Sequence, residues 1–360
     1  MKHSVLLVGF GLGSRVYHAP LIMVTPELSI DGVVTSNDER QRQALELLPA
    51  TRIHARLDDA WNHGYELAVI STANASHVAD ATSCLEHGLH VVLDKPIAPD
   101  FATACALRDL ATERGLMLIP YQNRRWDTEV LTAQSVMASG QIGTIHRFIQ
   151  RIDRMRVEPK AGWRNSAKPE DMGGMLYDLG AHAIDQARVI MGPVHEVYAR
   201  VRTVRRPGDP DDDSVIILTH ASGAVSMVTV SQASAFPEPR MMLLGTKGAL
   251  RIDHVDAQEI ALIAGDIPGG PTWGSTTDMA VLRLSGADKD FTDQNIAMVP
   301  GNWPAFYRGV AEALDGEGPA PVPLDDVLQT VRVLDAARES GATGSAVRLT
   351  PETGRARKTG

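Results

Sequence analysis

Two acids and a histidine stand at Asp178, His182 and Asp185, within the segment GGMLYDLGAHAID at 173–185. On a helix, residues four and seven apart lie within about 40° of one another around the axis, so the three side chains would share one face. A histidine with a pKa near neutrality can exchange a proton with a substrate. The spacing therefore indicates proton transfer if a cleft lies beside this helix. The alternative is a solvated helix face, because Asp and His are usually exposed.

A glycine-rich loop, GFGLGS at 9–14, follows the first apolar run and opens a helical pattern. Gly9 allows a tight turn, Gly11 lets the backbone approach a pyrophosphate, and the start of the helix supplies N–H donors. Ser14 stands where a third glycine usually allows close packing of helix and strand. The loop predicts dinucleotide binding through Gly9, Phe10, Gly11, Leu12, Gly13 and Ser14.

The end of the second predicted strand, VVTSND, decides which dinucleotide is bound. An acid at this corner would accept the ribose 2′-hydroxyl of NAD, whereas a neutral corner with a nearby arginine suits a 2′-phosphate. Ser36 and Asn37 occupy the corner, and Arg40 lies one turn further on. We therefore favour NADP(H) over NAD(H). Asp38 would reverse this preference if its side chain faced inward.

Two more segments end strands of the same pattern, ISTANASH at 70–77 and LDKPI at 93–97. Ligands of open parallel sheets bind at the carboxyl ends of the strands. Lys95 follows a strongly apolar strand at this edge, so its amine is expected to point into the cleft. The alternative is that Lys95 and Pro96 form a surface turn.

Composition excludes several classes of protein. The 360 residues carry 35 Lys and Arg against 44 Asp and Glu, a formal net charge of −9, without the basic stripe of a nucleic-acid binder. The sequence has neither a membrane-spanning apolar run nor the apolar core of a signal peptide. Cys84 and Cys105 fall in different predicted helices and show no disulfide framework. We expect a cytoplasmic protein with a small-molecule partner and with no metal, nucleic-acid or membrane partner.

The predicted pattern of helices and strands that positions these residues changes at Tyr121. Before it, short β-rich runs alternate with helical stretches, which predicts a doubly wound α/β domain with a parallel sheet. After it, a helix, a strand and a second helix precede a series of short strands with turn signals, which predicts an α+β domain with late helices at 302–315 and 324–339. We expect a dinucleotide-binding domain at 1–121, a substrate-binding and oligomerisation domain at 122–345 and a flexible tail at 346–360.

The strands of the second domain also predict self-association. The segment HASGAVSMVTVSQ at 220–232 has apolar residues available for a face-to-face partner. The outer face of such a sheet needs to be covered, so we expect a homodimer or homotetramer built on it.

Taken in order, GFGLGSRVYHAPLI, STANASH, DKP, YQNRRWD, GWR and GGMLYDLGAHAIDQ resemble the motifs of the glucose-fructose oxidoreductase, inositol dehydrogenase and MocA family, from residue 4 to about 340. The resemblance implies a Rossmann domain followed by an α+β domain with a large, mostly antiparallel open sheet. The HAPLI and NRRWD variants are most similar to the branch that holds NADP-dependent scyllo-inositol dehydrogenase. The chain departs from the usual motifs at Ser14, Ala73 and Asp94, where Gly, Pro and Glu are more common.

The resemblance further implies that Lys95, Asp178 and His182 form the catalytic group. His182 would take the hydroxyl proton, Lys95 would stabilise the developing alkoxide, and Asp178 would hold a neighbouring hydroxyl or orient the histidine. Asp185 is interpreted as a structural partner. Candidate substrate-binding residues are Arg124, Trp126, Asp153, Arg154, Trp163 and Arg164. Further candidate cofactor-binding residues, beyond the glycine loop and the corner at 36–40, are Thr72, Asn74, His77, Asp94, Lys95, Pro96 and Asn123.

The function expected is an NAD(P)-dependent dehydrogenase or reductase that acts on CH–OH groups. It would transfer hydride between the nicotinamide and a hydroxyl or keto carbon of a sugar, an anhydro-sugar or an inositol. One alternative is a non-catalytic sensor or co-regulator that has kept the dinucleotide domain. The other alternative is a reductase of another carbonyl substrate. The presence of both Lys95 and His182 argues against the sensor.

Overall fold

The computed structural model describes residues 2–156, 158, 166, 168, 171–236, 239–286 and 290–350. These residues form a parallel sheet followed by a mostly antiparallel sheet, and helices pack against both. The expected α/β and α+β classes are therefore confirmed. No helix in the described ranges is long and apolar enough to cross a membrane.

The first sheet is built from short apolar runs that are buried on both faces, as expected for a parallel sheet between helical layers. Its strands are β1 (His3–Val8), β2 (Leu28–Val34), β3 (Arg52–His54), β4 (Leu67–Ile70), β5 (His90–Leu93) and β6 (Leu118–Pro120). Every pairing is parallel, in the order β3-β2-β1-β4-β5-β6. The order reverses between β1 and β4, and ligands of such folds bind at this point, outside the carboxyl ends of the strands.

The helices begin and end at local sequence signals. Asp100 caps the long helix that follows β5 by accepting a hydrogen bond from the Thr103 N–H, and Gly115 ends that helix with φ +66°. The helix that follows β4 begins at His77 and ends at Glu86. The helices of the described residues are α1 (Ala19–Met23), α2 (Asp38–Leu47), α3 (His77–Glu86), α4 (Phe101–Arg114), α5 (Thr128–Ser139), α6 (Ala181–Met191), α7 (Gln258–Ala264), α8 (Pro304–Leu314) and α9 (Leu324–Thr343).

The second sheet is antiparallel except for one pair of strands. Its strands are β7 (Ile145–Asp153), β8 (Val194–Arg202), β9 (Asp213–His220), β10 (Val225–Ser231), β11 (Met241–Gly245), β12 (Gly248–Ile252), β13 (Met279–Ser285), β14 (Phe291–Ala297) and β15 (Val347–Arg348). Their order is β14-β13-β12-β11-β7-β10-β9-β8-β15, and only β7 and β10 run parallel to each other among these strands. One face of the sheet packs against α5, α6 and α9.

The last two helices, α8 and α9, pack back onto the first sheet. Trp303 and Phe306, at the start of α8, are buried in the same core as the strands of the first sheet. Along α9, Val331 belongs to that core, whereas Val333 and Leu334 belong to the core of the second sheet. A helix of 20 residues spans about 30 Å, enough to pack against both sheets. This helix therefore joins the two halves of the molecule.

The flexible tail expected from residue 346 contains a short strand. β15 pairs antiparallel with β8, with Val347 opposite Val197 and Arg348 opposite Glu196. The Arg348 guanidinium also donates to the Glu196 carboxylate at 3.1 Å. Backbone pairing at the edge of the sheet therefore holds these two residues in the fold. Residues 351–360 lie outside the described residues.

Candidate active site

A cleft of about 590 Å³ lies where the ends of β1, β4 and β5 face the second sheet. It brings together residues predicted from widely separated segments. Of the predicted catalytic and cofactor residues, the cleft is lined by Gly9, Gly11, Leu12, Gly13, Arg40, Thr72, Asn74, Asp94, Lys95, Asn123, Asp178 and His182. Of the predicted substrate residues, it is lined by Arg124 and Arg154.

The glycine loop forms one wall of the cleft. Gly9 has φ +88°, a conformation that favours glycine, and a Cβ at Gly13 would lie 2.1 Å from the Ser71 hydroxyl. A Cβ at Gly11 would meet no atom within 4 Å, because the backbone there faces open space. Ser14 is buried and donates a hydrogen bond to the Gly9 carbonyl at 2.6 Å. The loop thus leaves its backbone open to a pyrophosphate, which fits a dinucleotide.

Two predicted members of the loop do not line the cleft. Phe10 is 1% exposed and packs into the core of the first sheet, and Ser14 acts within the loop itself. Phe10 therefore anchors the loop, since the residue between the two glycines points away from the ligand side. Their contribution is to the shape of the site, not to direct side-chain contact.

The corner after β2 presents one arginine to the cleft. Asn37 accepts a hydrogen bond from the Arg40 N–H at 2.9 Å, so its side chain caps α2 and does not line the cleft. Ser36 is exposed next to it. Arg40 lines the cleft, and its guanidinium makes no ion pair with any described residue, while Asp38 is not among the lining residues. The corner therefore offers a positive charge and no carboxylate.

Asp94 ties together the strand ends beneath the cleft. It accepts hydrogen bonds from the Ser71 hydroxyl at 3.1 Å and from the Lys95 N–H at 2.9 Å. Burial acts to raise the pKa of Asp94, but hydrogen bonding and charge from His18, together with the charge of Lys95, outweigh it and hold the pKa below its usual range. Asp94 is therefore ionised and links the ends of β4 and β5. It stands where glutamate is more usual.

The remaining predicted cofactor residues mostly hold the loops in place. Thr72 donates to Asp80 at 2.8 Å, and Asn74 donates to the Met172 carbonyl at 3.2 Å while still lining the cleft. His77 is 1% exposed and contacts the Pro96 carbonyl through Nδ1 at 2.9 Å. His77 and Pro96 therefore do not line the cleft, because they pair with each other behind it.

Lys95 and Asp178 meet across the cleft from different halves of the chain. The Lys95 amine lies 3.1 Å from the Asp178 carboxylate and 2.6 Å from the Asp178 carbonyl oxygen. Asp178 lies in a π-helical turn at Leu176–Gly180, which leads directly into α6. Such turns are frequent at functional sites because they reposition side chains on a helix. The ion pair fixes the amine within the cleft.

His182 is held by a residue that the sequence did not single out. Its Nδ1 lies 3.0 Å from the Gln122 amide oxygen, so Nδ1 donates and Nε2 keeps its lone pair. Gln122 follows β6 and is 2% exposed, so it holds the ring in a defined orientation. That Asp178 holds a neighbouring hydroxyl or orients the histidine stays a prediction. The signal missed in the sequence was the Gln within YQNRRWD, directly before the predicted Asn123.

Burial lowers the pKa of His182 well below 6.5, and the positive charges of Lys95, Arg124 and Arg240 lower it further. The imidazole is therefore neutral at neutral pH. A neutral imidazole with a lone pair on Nε2 can accept a proton from a hydroxyl group. The group at the base of the cleft can thus combine proton abstraction by His182 with electrostatic stabilisation of an oxyanion by Lys95.

Asp185 points away from this group, although its spacing predicted the same helix face. Both of its oxygens accept hydrogen bonds from the Arg125 guanidinium at 2.8 Å, and Thr330 on α9 donates to it at 3.1 Å. The carboxylate is 1% exposed. Asp185 therefore has the structural role that we interpreted for it, since it joins α6 to α9 and to the turn that carries Arg125.

Other predicted substrate residues lie elsewhere. Trp126 packs edge-on against Phe306, with ring centroids 6.1 Å apart, and does not line the cleft. Asp153 accepts a hydrogen bond from the Thr229 hydroxyl at 2.9 Å and is likewise not on the cleft wall. Trp126 therefore packs against the core of the first sheet, and Asp153 pairs with the neighbouring strand β10. Trp163 and Arg164 lie outside the described residues.

Part of the cleft wall consists of residues that the sequence did not single out. Glu259, on α7, accepts hydrogen bonds from the Tyr17 hydroxyl at 3.0 Å and from Arg124 at 2.5 Å, so it links the glycine-loop side to the substrate side. A lone Glu in a short helix carries no motif that could have identified it. The other lining residues that were missed are Tyr17, Ser71, Ala73, Tyr121, Ile152, Leu179, Arg240, Val255 and Trp303. Within the described ranges, no group of His, Cys, Asp or Glu has the arrangement of a metal site.

The glycine loop of a doubly wound sheet opens onto a cleft that contains a lysine, an aspartate and a neutral histidine. This combination defines a dinucleotide-dependent oxidoreductase. Residues 3–122 match the model of the oxidoreductase family with an NAD-binding Rossmann fold, and residues 130–251 match the GFO/IDH/MocA C-terminal domain. The chain belongs to the GFO/IDH/MocA oxidoreductase family. The family resemblance and the expected NAD(P)-binding oxidoreductase are therefore confirmed.

Relatives match over nearly the whole chain. The uncharacterised oxidoreductase YdgJ of Escherichia coli (strain K12) is 31% identical, over 93% of this chain and 95% of YdgJ. The scyllo-inositol 2-dehydrogenase (NADP(+)) IolW of Bacillus subtilis (strain 168) is 29% identical, over 94% of this chain and 93% of IolW. Among solved structures, the oxidoreductase YPO2259 of Yersinia pestis superimposes with a TM-score of 0.90 at 31% identity, covering 97% of each chain.

Proposed function

We propose that the protein oxidises a hydroxyl group of a sugar, an anhydro-sugar or an inositol, or reduces the corresponding keto group, with NADP(H). The observation that carries the proposal is the placement of the Lys95 amine and the neutral His182 imidazole on one cleft wall, next to the glycine loop. The relative IolW, whose name gives scyllo-inositol and NADP(+), supports the substrate class and the cofactor.

Each reacting side chain has one task. A bound NADP would supply the acceptor for the hydride that leaves the substrate carbon carrying the hydroxyl. His182 takes the hydroxyl proton on Nε2, because Gln122 holds Nδ1 as a donor. Lys95 donates a hydrogen bond to the same oxygen and stabilises its developing negative charge. Asp178 positions the Lys95 amine by pairing with it, and its carboxylate can also accept a hydrogen bond from a neighbouring hydroxyl.

The proposal is tested by following reduced nicotinamide absorbance with NADP or NAD against inositols, aldoses and anhydro-sugars. We expect turnover of at least one polyol class, with NADP as the better acceptor. A Lys95→Ala variant serves as the blank for contaminating activity. Tight cofactor binding without turnover across the whole panel would contradict the proposal and favour the non-catalytic sensor.

The preference for NADP rests on the corner after β2. Arg40 lines the cleft there without an ion pair to any described residue, and Asn37 is engaged in capping α2. A 2′-phosphate would neutralise the Arg40 guanidinium through charge-assisted hydrogen bonds, which the 2′-hydroxyl of NAD does not do.

Replacement of Arg40 by alanine is expected to raise the KM for NADP by about tenfold or more, since hydrogen bonds to charged groups contribute about 1.5–3 kcal/mol. The KM for NAD should change little. Arg42→Ala is the matched control, because Arg42 lies on the same helix and pairs with Glu39. If Arg40→Ala raised the KM for NADP and for NAD equally, Arg40 would not contribute to recognition of the 2′-phosphate.

We also propose that two copies associate through the outer face of the second sheet. Ile217, Met227, Ile149 and Met242 lie side by side on four neighbouring strands and are each half-buried in the single chain. An apolar row of this kind favours a self-complementary interface. Light scattering at micromolar concentration should give the mass of a dimer or tetramer, and Met227→Lys should shift it towards the monomer. A monomeric mass for the unaltered protein would remove the proposal.

A further inference from the structure

The substrate end of the cleft contains more positive than negative charge once its ion pairs are assigned. Lys95 pairs with Asp178 at 3.1 Å, and Arg124 pairs with Glu259 at 2.5 Å. Arg240, which also lines the cleft, pairs with the buried Glu129 at 3.0 Å. Each of these cations has a carboxylate partner from the protein itself.

Arg154 lines the same cleft but has no carboxylate partner among the described residues. Its guanidinium makes no hydrogen bond or ion pair with any residue that the structure describes, and its Nε is buried and unpaired. Arginine remains charged in proteins, so an unpaired guanidinium that is partly removed from water is costly unless a ligand satisfies it. The charges of Asp178 and Glu259 attract it, yet neither carboxylate pairs with it.

The backbone holds this arginine in a defined place. The Arg154 N–H donates to the Ser231 carbonyl at 3.0 Å, and the Arg154 carbonyl accepts from the Ser234 N–H at 3.3 Å. Ser231 is the last residue of β10 and Ser234 follows that strand, so the end of β7 is fixed against its neighbour. The end of β7 therefore fixes the backbone of Arg154, and its side chain lines the cleft that Asp178 and His182 also line.

We propose that the substrate carries a carboxylate, and that Arg154 binds it. This inference rests on the proposed function, because it specifies the substrate class of the same site as a sugar acid or a carboxylated polyol. The planar guanidinium can hold a carboxylate through two parallel hydrogen bonds. One unpaired positive charge also matches a singly charged carboxylate better than a doubly charged phosphate.

The test compares matched acidic and neutral substrates with the complete protein. Glucuronate is measured against glucose, gluconate against sorbitol, and glucose 6-phosphate serves as the phosphate arm. We expect kcat/KM to be about tenfold or more higher for the acid of each pair, as charge-assisted hydrogen bonds predict. In Arg154→Gln, the KM for the acid should rise by a similar factor. Arg156→Gln, two residues further on and not on the cleft wall, should leave this KM unchanged.

The outcomes separate this inference from the proposed function. Equal kcat/KM for acidic and neutral partners would overturn the carboxylate and leave the oxidoreductase intact. A preference for glucose 6-phosphate over both would also overturn it, as would an Arg154→Gln variant whose KM rises for NADP and not for the acid. If no compound turns over, calorimetric titration of glucuronate into the NADPH-bound protein decides. Binding that Arg154→Gln weakens about tenfold supports the proposal, and no binding overturns it.

Discussion

Replacement of Lys95 by methionine is expected to reduce kcat/KM by about a hundredfold to a thousandfold, the usual cost of removing one donor to a developing oxyanion. Methionine keeps the length of the side chain but supplies neither charge nor a hydrogen-bond donor. The loss should fall mainly on kcat, because the interaction with the reacting oxygen is strongest in the transition state. Steady-state kinetics with the substrate found in the polyol panel give both parameters.

The control for this variant is Lys247→Met, an exposed lysine on the turn between β11 and β12. It should retain full activity. Binding of NADPH to Lys95→Met, followed by nicotinamide fluorescence, should remain within a few-fold of the unaltered protein if the variant is folded. An active Lys95→Met enzyme with unchanged kcat would show that Lys95 is a structural partner of Asp178 and takes no part in the chemistry.

Replacement of His182 by asparagine is expected to lower kcat by about 10²–10⁴-fold, the range that general bases contribute. Asparagine can keep a hydrogen bond to Gln122 but cannot accept a proton from a hydroxyl group at neutral pH. The variant should therefore fold and bind cofactor while it loses turnover. His87→Asn, at an exposed position after α3, is the matched control. Turnover within a few-fold of the unaltered enzyme would remove His182 from the proton-transfer step.

The pH profile provides a second readout for the same residue. Because the pKa of His182 is held well below 6.5, the base form persists as the pH falls through 6.5, and the acid limb of kcat/KM should appear only at lower pH. Protonation then removes the base, so activity decreases with decreasing pH. As the pH falls below 6.5, His182 is protonated in the unfolded chain before it is protonated in the folded protein. The free energy of unfolding therefore decreases as the pH falls below 6.5. An acid limb centred at or above 6.5 would contradict this assignment.

Local chemistry in the sequence determined much of the fold and part of the site. Gly9 takes a positive φ that other residues adopt poorly. Apolar runs between helical stretches require a sheet covered on both faces. The carboxyl ends of parallel strands share one edge, so Lys95 could be placed at the cleft from its position in the chain alone. For the same reason Arg40 could be placed at the corner after β2.

Only the tertiary structure decided which side chains complete the cleft. Glu259, Arg240 and Trp303 come from separate elements with no motif of their own. The positions of Glu259 and Trp303 depend on how α7 and α8 pack back onto the first sheet, whereas Arg240 is held by its ion pair with Glu129 on α5. Helical spacing placed Asp185 beside His182, but a buried guanidinium on another segment turned it away. Contacts between residues distant in the chain are set by packing and by pairing of buried charges, which no local pattern records.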